Sequence, residues 1–285
     1  MAAGAGTVCL RWAVSLRQAD ALPHFELLFR RALQCLPPDD VAAQSRFRYR
    51  DDALACVLGR LLIRRAFGEI GVPWEAASRR IMRSPRGKPE DCTGEIVFNG
   101  DLVVLAASSE VEDSAIGVDV MRVDEGGEGS KARIERLRKA FTPRERESML
   151  RWRTERERWI SFYRHWCLKE AVLKATGAGI SEDLGKLEFR LREEEEHVPG
   201  CLLTTTEYFH DGARQGQFVF EESFVGDEHV VAVGRIRRGT RQIRPVTFSM
   251  VEMEWLLEAA TVVEVDEERA AEAFTAYDDK KWKTF

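Results

Sequence analysis

The chain has 285 residues, 44% of them apolar, with 43 Lys and Arg against 48 Asp and Glu, giving a formal net charge of −5. That length allows one large domain or two smaller ones with ample core, and the acidic balance argues against a dedicated nucleic-acid binder, local basic patches aside. Six cysteines without a C-x-x-C pair suit free thiols in a reducing compartment; the absence of a signal-peptide pattern and of any membrane-length apolar run leads us to expect a cytosolic chain with no membrane part.

Residues 8–16 alternate as a first strand, and 22–36 carry Phe25, Leu28, Phe29, Ala32 and Leu36 at helical spacing. Residues 37–40, Pro-Pro-Asp-Asp, open a longer helix that runs through Phe47, Ala53, Val57, Leu58, Leu61 and Leu62, with Arg46, Arg48, Arg50, Arg60, Arg64 and Arg65 mostly a solvated face. Arg83-Ser84-Pro85-Arg86-Gly87-Lys88-Pro89 is a loop by its Pro and Gly content, and taken alone is a basic surface turn. Two strands over 96–107 meet at Asn99-Gly100, a hairpin signal.

A further strand covers 114–121, with Ile116, Val118 and Val120 on one face and Gly117, Asp119 and Met121 on the other. A carboxylate in an apolar strand is costly unless compensated; Asp119 is either a satisfied strand-end acid or a Mg²⁺ ligand. A Gly- and acid-rich loop over 123–130 leads to a basic helix over 131–141, and Thr142-Pro143 starts another. The next helix includes 159–176 and stops at Gly177. Trp159, Tyr163, Trp166, Glu170 and Lys174 share one stripe, the aromatics expected in the core. The Glu170–Lys174 pair fits either a surface ion pair or the floor of a cleft. Strands at 184–191, 200–209, 217–223 and 229–236 are expected to form an antiparallel sheet, and short helices are expected at 253–260 and 267–274.

Gly117-Val118-Asp119-Val120, followed downstream by Trp166-Cys167-Leu168-Lys169-Glu170-Ala171-Val172-Leu173-Lys174, resembles the signature of the Sfp-type 4′-phosphopantetheinyl transferases. Arg83…Gly87-Lys88-Pro89 is similar to that family's coenzyme A segment. The likeness covers most of residues 8–235 and is strongest with the animal branch. It implies an α+β fold of two similar α/β halves in a pseudo-twofold arrangement with the active site between them: 1–112 with the coenzyme A loop, 113–240 with the Mg²⁺ and catalytic residues, and a tail over 241–285.

The resemblance also implies transfer of the phosphopantetheine arm of coenzyme A, the co-substrate, to a serine of an apo acyl carrier protein domain. Asp119 and Glu170 would hold Mg²⁺; Asp119, Glu170 and Lys174 would be catalytic, with Lys169 assisting. Coenzyme A would be bound by Arg83, Ser84, Pro85, Arg86, Gly87, Lys88 and Asn99, and by Glu170, Ala171, Val172, Leu173 and Lys174. Carriers in fatty acid synthase and in aminoadipate-semialdehyde dehydrogenase-like enzymes are the implied partners of a monomer. Many bacterial members carry a third carboxylate where this chain has Met121, so water is expected in that coordination position. The chain also keeps Asn99 and Gly100 without the family's Ser-His beside them. That departure leaves an alternative, a carrier-binding homologue impaired in catalysis.

Overall fold

The computed structural model describes residues 8–80, 94–99, 101–109, 113–125, 127–179, 182–192, 195, 197–238 and 245–263. Helices and mainly antiparallel sheets form an α+β fold, divided into two compact units, Met1–Ser109 with Phe248–Thr284, and Glu110–Thr247.

In the first unit, strand β1 (Cys9–Ser15) ends where the Ser15 hydroxyl accepts the Gln18 N–H and so caps α1 (Leu16–Asp20). Helix α2 (Phe25–Gln34) buries Phe25, Phe29, Ala32 and Leu33. The single long helix expected next is two, α3 (Pro38–Gln44) and α4 (Arg50–Glu69), because Tyr49 is extended at φ −102° and ψ 140°. The chain reverses there so that Asp40 pairs with Arg60 at 3.0 Å and Arg64 at 2.5 Å. An unbroken helix would hold residues 40 and 64 about 36 Å apart. Arg64 is consequently 1% exposed and not part of a solvated face, and it also donates to the Ser78 hydroxyl. After α5 (Trp74–Arg80), β2 (Gly94–Asn99) and β3 (Leu102–Ser108) form the expected hairpin, with Asn99 opposite Leu102.

The second unit begins with β4 (Asp113–Arg122), then α6 (Ser130–Arg136) and α7 (Pro143–Leu150), whose capping box joins Thr142 and Glu145. Helix α8 (Glu155–Thr176) has its own capping box, Thr154 with Glu157, and ends at Gly177, whose φ of 69° needs a residue without Cβ strain. Among the described residues of this unit there follow β5 (Leu187–Arg190), β6 (Leu202–Leu203), β7 (Glu207–His210), β8 (Ala213–Arg214), β9 (Phe218–Val225) and β10 (His229–Arg237). They do not make the one sheet expected from sequence. The orders are β4-β10-β9-β6 and β5-β7-β8. The chain leaves the first ladder after Leu203, and the Thr206 hydroxyl then donates to buried Glu222, turning β7 towards β5, where Tyr208 stacks on Phe189 at 5.0 Å.

Helix α8 lies against β4 and β10 and is buried on most sides, contributing Trp159, Phe162, Leu168, Ala171 and Val172 to the second core. The expected burial of its aromatic stripe holds for Trp159 alone; Tyr163, Trp166, Glu170 and Lys174 are half-buried and form the more open side.

The described part of 241–285 is no separate tail. Strand β11 (Ser249–Met250) pairs parallel to β1, completing the order β11-β1-β3-β2, and α9 (Met253–Glu258) seats Met253, Leu256 and Leu257 in the first core. The helix expected at 267–274 lies outside the described residues. Among the described residues, Cys35, Cys56, Cys167 and Cys201 are free thiols, and no helix is long and apolar enough to cross a membrane.

Candidate active site

Strand β4 and helix α8 meet at a glycine. A Cβ on Gly117 would lie 2.1 Å from the Ala171 carbonyl oxygen and 2.5 Å from the Ala175 nitrogen, so only glycine lets the two backbones approach this closely. Strand alternation then turns the next residue on that face, Asp119, towards the same helix. Its Oδ1 accepts a hydrogen bond from Lys174 Nζ at 2.5 Å, and the Cys167 thiol, which donates to the Val230 carbonyl at 3.7 Å, lies nearby.

Asp119 is 5% exposed, and its Oδ2 is buried without a hydrogen-bond partner. Burial raises its carboxyl above the ordinary carboxylate range, against the opposing pull of the Lys174 ammonium. Half-buried Glu170 is raised for the same first reason, then by the negative charge of Asp119, again opposed by Lys174. Two carboxylates and one ammonium thus share a partly desolvated site with an excess of negative charge. A hard divalent cation fits it: Asp119 Oδ2 lacks a partner, Glu170 adds a second carboxylate, and such ions accept few protein oxygens with water and phosphate completing the set. Among the described residues no group of three or more His, Cys, Asp or Glu is placed to hold a metal ion, and Met121 is the next residue on the Asp119 face.

The structure assigns Lys169 elsewhere. It is 1% exposed, and its ammonium donates to Glu145 Oε2 at 2.9 Å, to the Leu184 carbonyl at 2.9 Å and to the Leu187 carbonyl. Glu145, also fully buried, accepts the N–H groups of Thr142 and Phe189, so this ion pair ties α7, α8 and β5 together and engages the Lys169 ammonium structurally. Ala171, Val172 and Leu173 are packed in the second core at 0%, 2% and 6% exposure, so Glu170 and Lys174 are the members of that run that reach open space. Arg83, Ser84, Pro85, Arg86, Gly87 and Lys88 lie outside the described residues. Asn99 ends β2 in the first unit.

Sequence reasoning missed Cys167 beside Asp119. The signal was present: positions 167, 170 and 174 follow one another at helical spacing.

An α+β fold carrying a strand carboxylate against a helix carboxylate–lysine pair has the makings of a group-transfer enzyme. Two family models match the chain, the 4′-phosphopantetheinyl transferase superfamily over residues 115–234 and the 4′-phosphopantetheinyl transferase N-terminal region over residues 24–110. The chain is 31% identical over 236 residues to L-aminoadipate-semialdehyde dehydrogenase-phosphopantetheinyl transferase of Rattus norvegicus, which covers 79% of this chain and 74% of the relative. The Homo sapiens protein of that name is 32% identical over 214 residues (71% and 67%), and a phosphopantetheinyl transferase of Thraustochytrium sp. is 32% identical over 235 residues (78% and 76%). The chain belongs to the 4′-phosphopantetheinyl transferase superfamily and is a transferase of that type.

Proposed function

We propose that the chain transfers the 4′-phosphopantetheine arm of coenzyme A to a serine hydroxyl of an apo acyl carrier domain, releasing adenosine 3′,5′-bisphosphate, and that Asp119 and Glu170 hold a Mg²⁺ ion. The observation that carries this reading is the buried Asp119 Oδ2 without a partner, set beside Glu170 and Lys174. Mg²⁺ held there would offset charge developing on the pyrophosphate.

Glu170 is the base for the serine, directly or through a water; its half-buried carboxylate binds a proton more readily than an exposed one. The serine oxygen bonds to the phosphorus on the pantetheine side as the bond from that phosphorus to the bridging oxygen breaks, and the bridging oxygen leaves with the nucleotide. Lys174 stabilises the departing phosphate. Arg83, Arg86 and Lys88 supply forked and point-charge contacts to the coenzyme A phosphates, Gly87 allows close backbone approach, and Ser84, Pro85 and Asn99 complete the nucleotide contacts. Ala171, Val172 and Leu173 form the packed floor.

The names of the relatives support a carrier domain of the aminoadipate-semialdehyde dehydrogenase kind as one substrate. A fatty acid synthase carrier as a second substrate, a cytosolic setting and a monomeric chain are parts of the same proposal. Arg136 and Arg138, more than half exposed, give an acidic carrier a docking edge, although Glu128 and Glu135 pair with them at 2.9 and 2.7 Å.

Intact-mass spectrometry of an apo carrier with coenzyme A and Mg²⁺ tests the reading. One phosphopantetheine should be gained, none with Asp119→Ala, and Glu170→Gln should lower turnover by roughly two to four orders of magnitude while leaving the circular dichroism unchanged. No gain on several apo carriers beside an active control enzyme would overturn it. Carrier binding retained without coenzyme A affinity would then favour the impaired homologue.

A further inference from the structure

A cavity of about 120 Å³ opens in the second unit, on a different side of α8 from Glu170. Arg164 lines it, and position 164 is roughly 120° around the helix from position 170. Burial grades from floor to mouth. Ser161, Arg164 and His197 are buried at the floor, Trp152, Ile160 and Leu191 are half-buried along the wall, and Arg192 and Val198 are exposed at the mouth.

His197 points to a ligand here. It is 6% exposed and packs on Phe224 at 4.7 Å, yet neither ring nitrogen has a hydrogen-bond partner among the described residues. A buried polar group left in that state is rare and costly, and a molecule that hydrogen-bonds to it removes the cost. Burial pulls its pKa down to about 4, so near neutral pH the ring is uncharged and offers one N–H and one acceptor.

Charge does not choose the ligand. Arg164, the buried cation of the floor, is neutralised by a forked pair with Glu222 at 2.5 and 3.2 Å. Glu157 and Arg192 of the lining have opposite signs, and Arg151 is engaged, lying over the Trp152 ring at 5.2 Å. An ion entering here would shed water beside apolar walls while Arg164 is already committed, so a neutral molecule is favoured. A hydroxyl suits the uncharged imidazole, since one oxygen both donates and accepts and so matches whichever ring nitrogen faces it. The volume admits a body no larger than about one six-membered ring, given that apolar cavities of about 150 Å³ take benzene.

We propose that this cavity binds a small neutral alcohol or phenol, its apolar body against Trp152, Ile160 and Leu191 and its hydroxyl hydrogen-bonded to His197. Phenol, toluene and benzoate, titrated into the full chain by calorimetry and ligand-observed NMR, test it. Toluene keeps the size and loses the hydroxyl, whereas benzoate keeps the ring and adds a charge. Phenol should bind once per chain at millimolar concentration, with toluene and benzoate each about fivefold weaker. His197→Phe should weaken phenol about fivefold and leave toluene within about twofold, a split that a collapsed cavity would not give. Absence of saturable phenol binding at millimolar concentration, toluene or benzoate as tight as phenol, or a His197→Phe chain that loses both ligands equally or neither would each overturn the proposal. The three-ligand comparison on the parent chain decides it even where His197→Phe fails to fold.

Discussion

Lys169 and Lys174 both project from α8, and their surroundings separate what they do. The Lys169 ammonium is sealed against Glu145 and two carbonyls, whereas that of Lys174 meets Asp119 at the more open side of the helix, with its side chain 24% exposed. Lys169→Met strands a buried carboxylate and should lower unfolding free energy by about 3–5 kcal/mol in urea titrations, with Glu145→Gln in the same chain recovering much of the loss. Lys174→Met should cost less, about 1–2 kcal/mol, because Asp119 is already raised and can take up a proton. Turnover per folded molecule should fall by roughly two orders of magnitude in Lys174→Met and stay near that of the parent in Lys169→Met. Equal turnover losses would assign both lysines to the site. The Glu170–Lys174 pair was legible because its partners share one helix face; the pairing of Lys169 with Glu145 was not, because it exists only once α7 and α8 pack.

The packing of β4 on α8 has one point of contact that admits no side chain, and it sits two positions before the strand carboxylate. Gly117→Ala would press its methyl against the backbone of Ala171 and Ala175, which cannot rotate away. The elements must separate, at a cost of about 3 kcal/mol, and Asp119 moves with the strand away from Lys174. Loss of turnover beyond the loss of folded protein is the expected result. Gly68 in α4 is the control: a Cβ there meets nothing within 4 Å, so Gly68→Ala should stabilise by about 0.5–1 kcal/mol. A Gly117→Ala chain as stable and active as the parent would remove the close approach as the reason for glycine. Both elements were visible in sequence through their periods of 2.0 and 3.6 and through the stop at Gly177. The break between α3 and α4 and the split into two sheets were not, since they depend on Asp40 reaching Arg60 and Arg64 and on Thr206 reaching Glu222.

The two units differ in how they bury histidine, and that makes the second unit's stability sensitive to acid. His165, 0% exposed, hydrogen-bonds through Nδ1 to the Ser161 carbonyl at 2.8 Å; His197 is 6% exposed, and both belong to the second unit. Burial holds each near a pKa of about 4, well under the ordinary histidine value of 6.5. The unfolded chain therefore binds protons between pH 6.5 and 4 that the folded unit refuses. The contribution to stability is complete above about pH 6.5, falls as the pH drops towards 4, and is flat below that. Each histidine accounts for up to about 3 kcal/mol. At pH 5 these two rings together should take up about two protons on unfolding, opposed by the raised carboxyls of Asp119 and Glu170. In the first unit the one described histidine, His24, is exposed, so no comparable loss arises there from histidine. Urea unfolding followed by tryptophan fluorescence at pH 7 and pH 5 should move the second unit's transition to lower urea, and His197→Phe should remove about one proton from its pH dependence. A transition that stays in place between the two pH values, or a slope indifferent to His197→Phe, would show that these rings take up protons while folded.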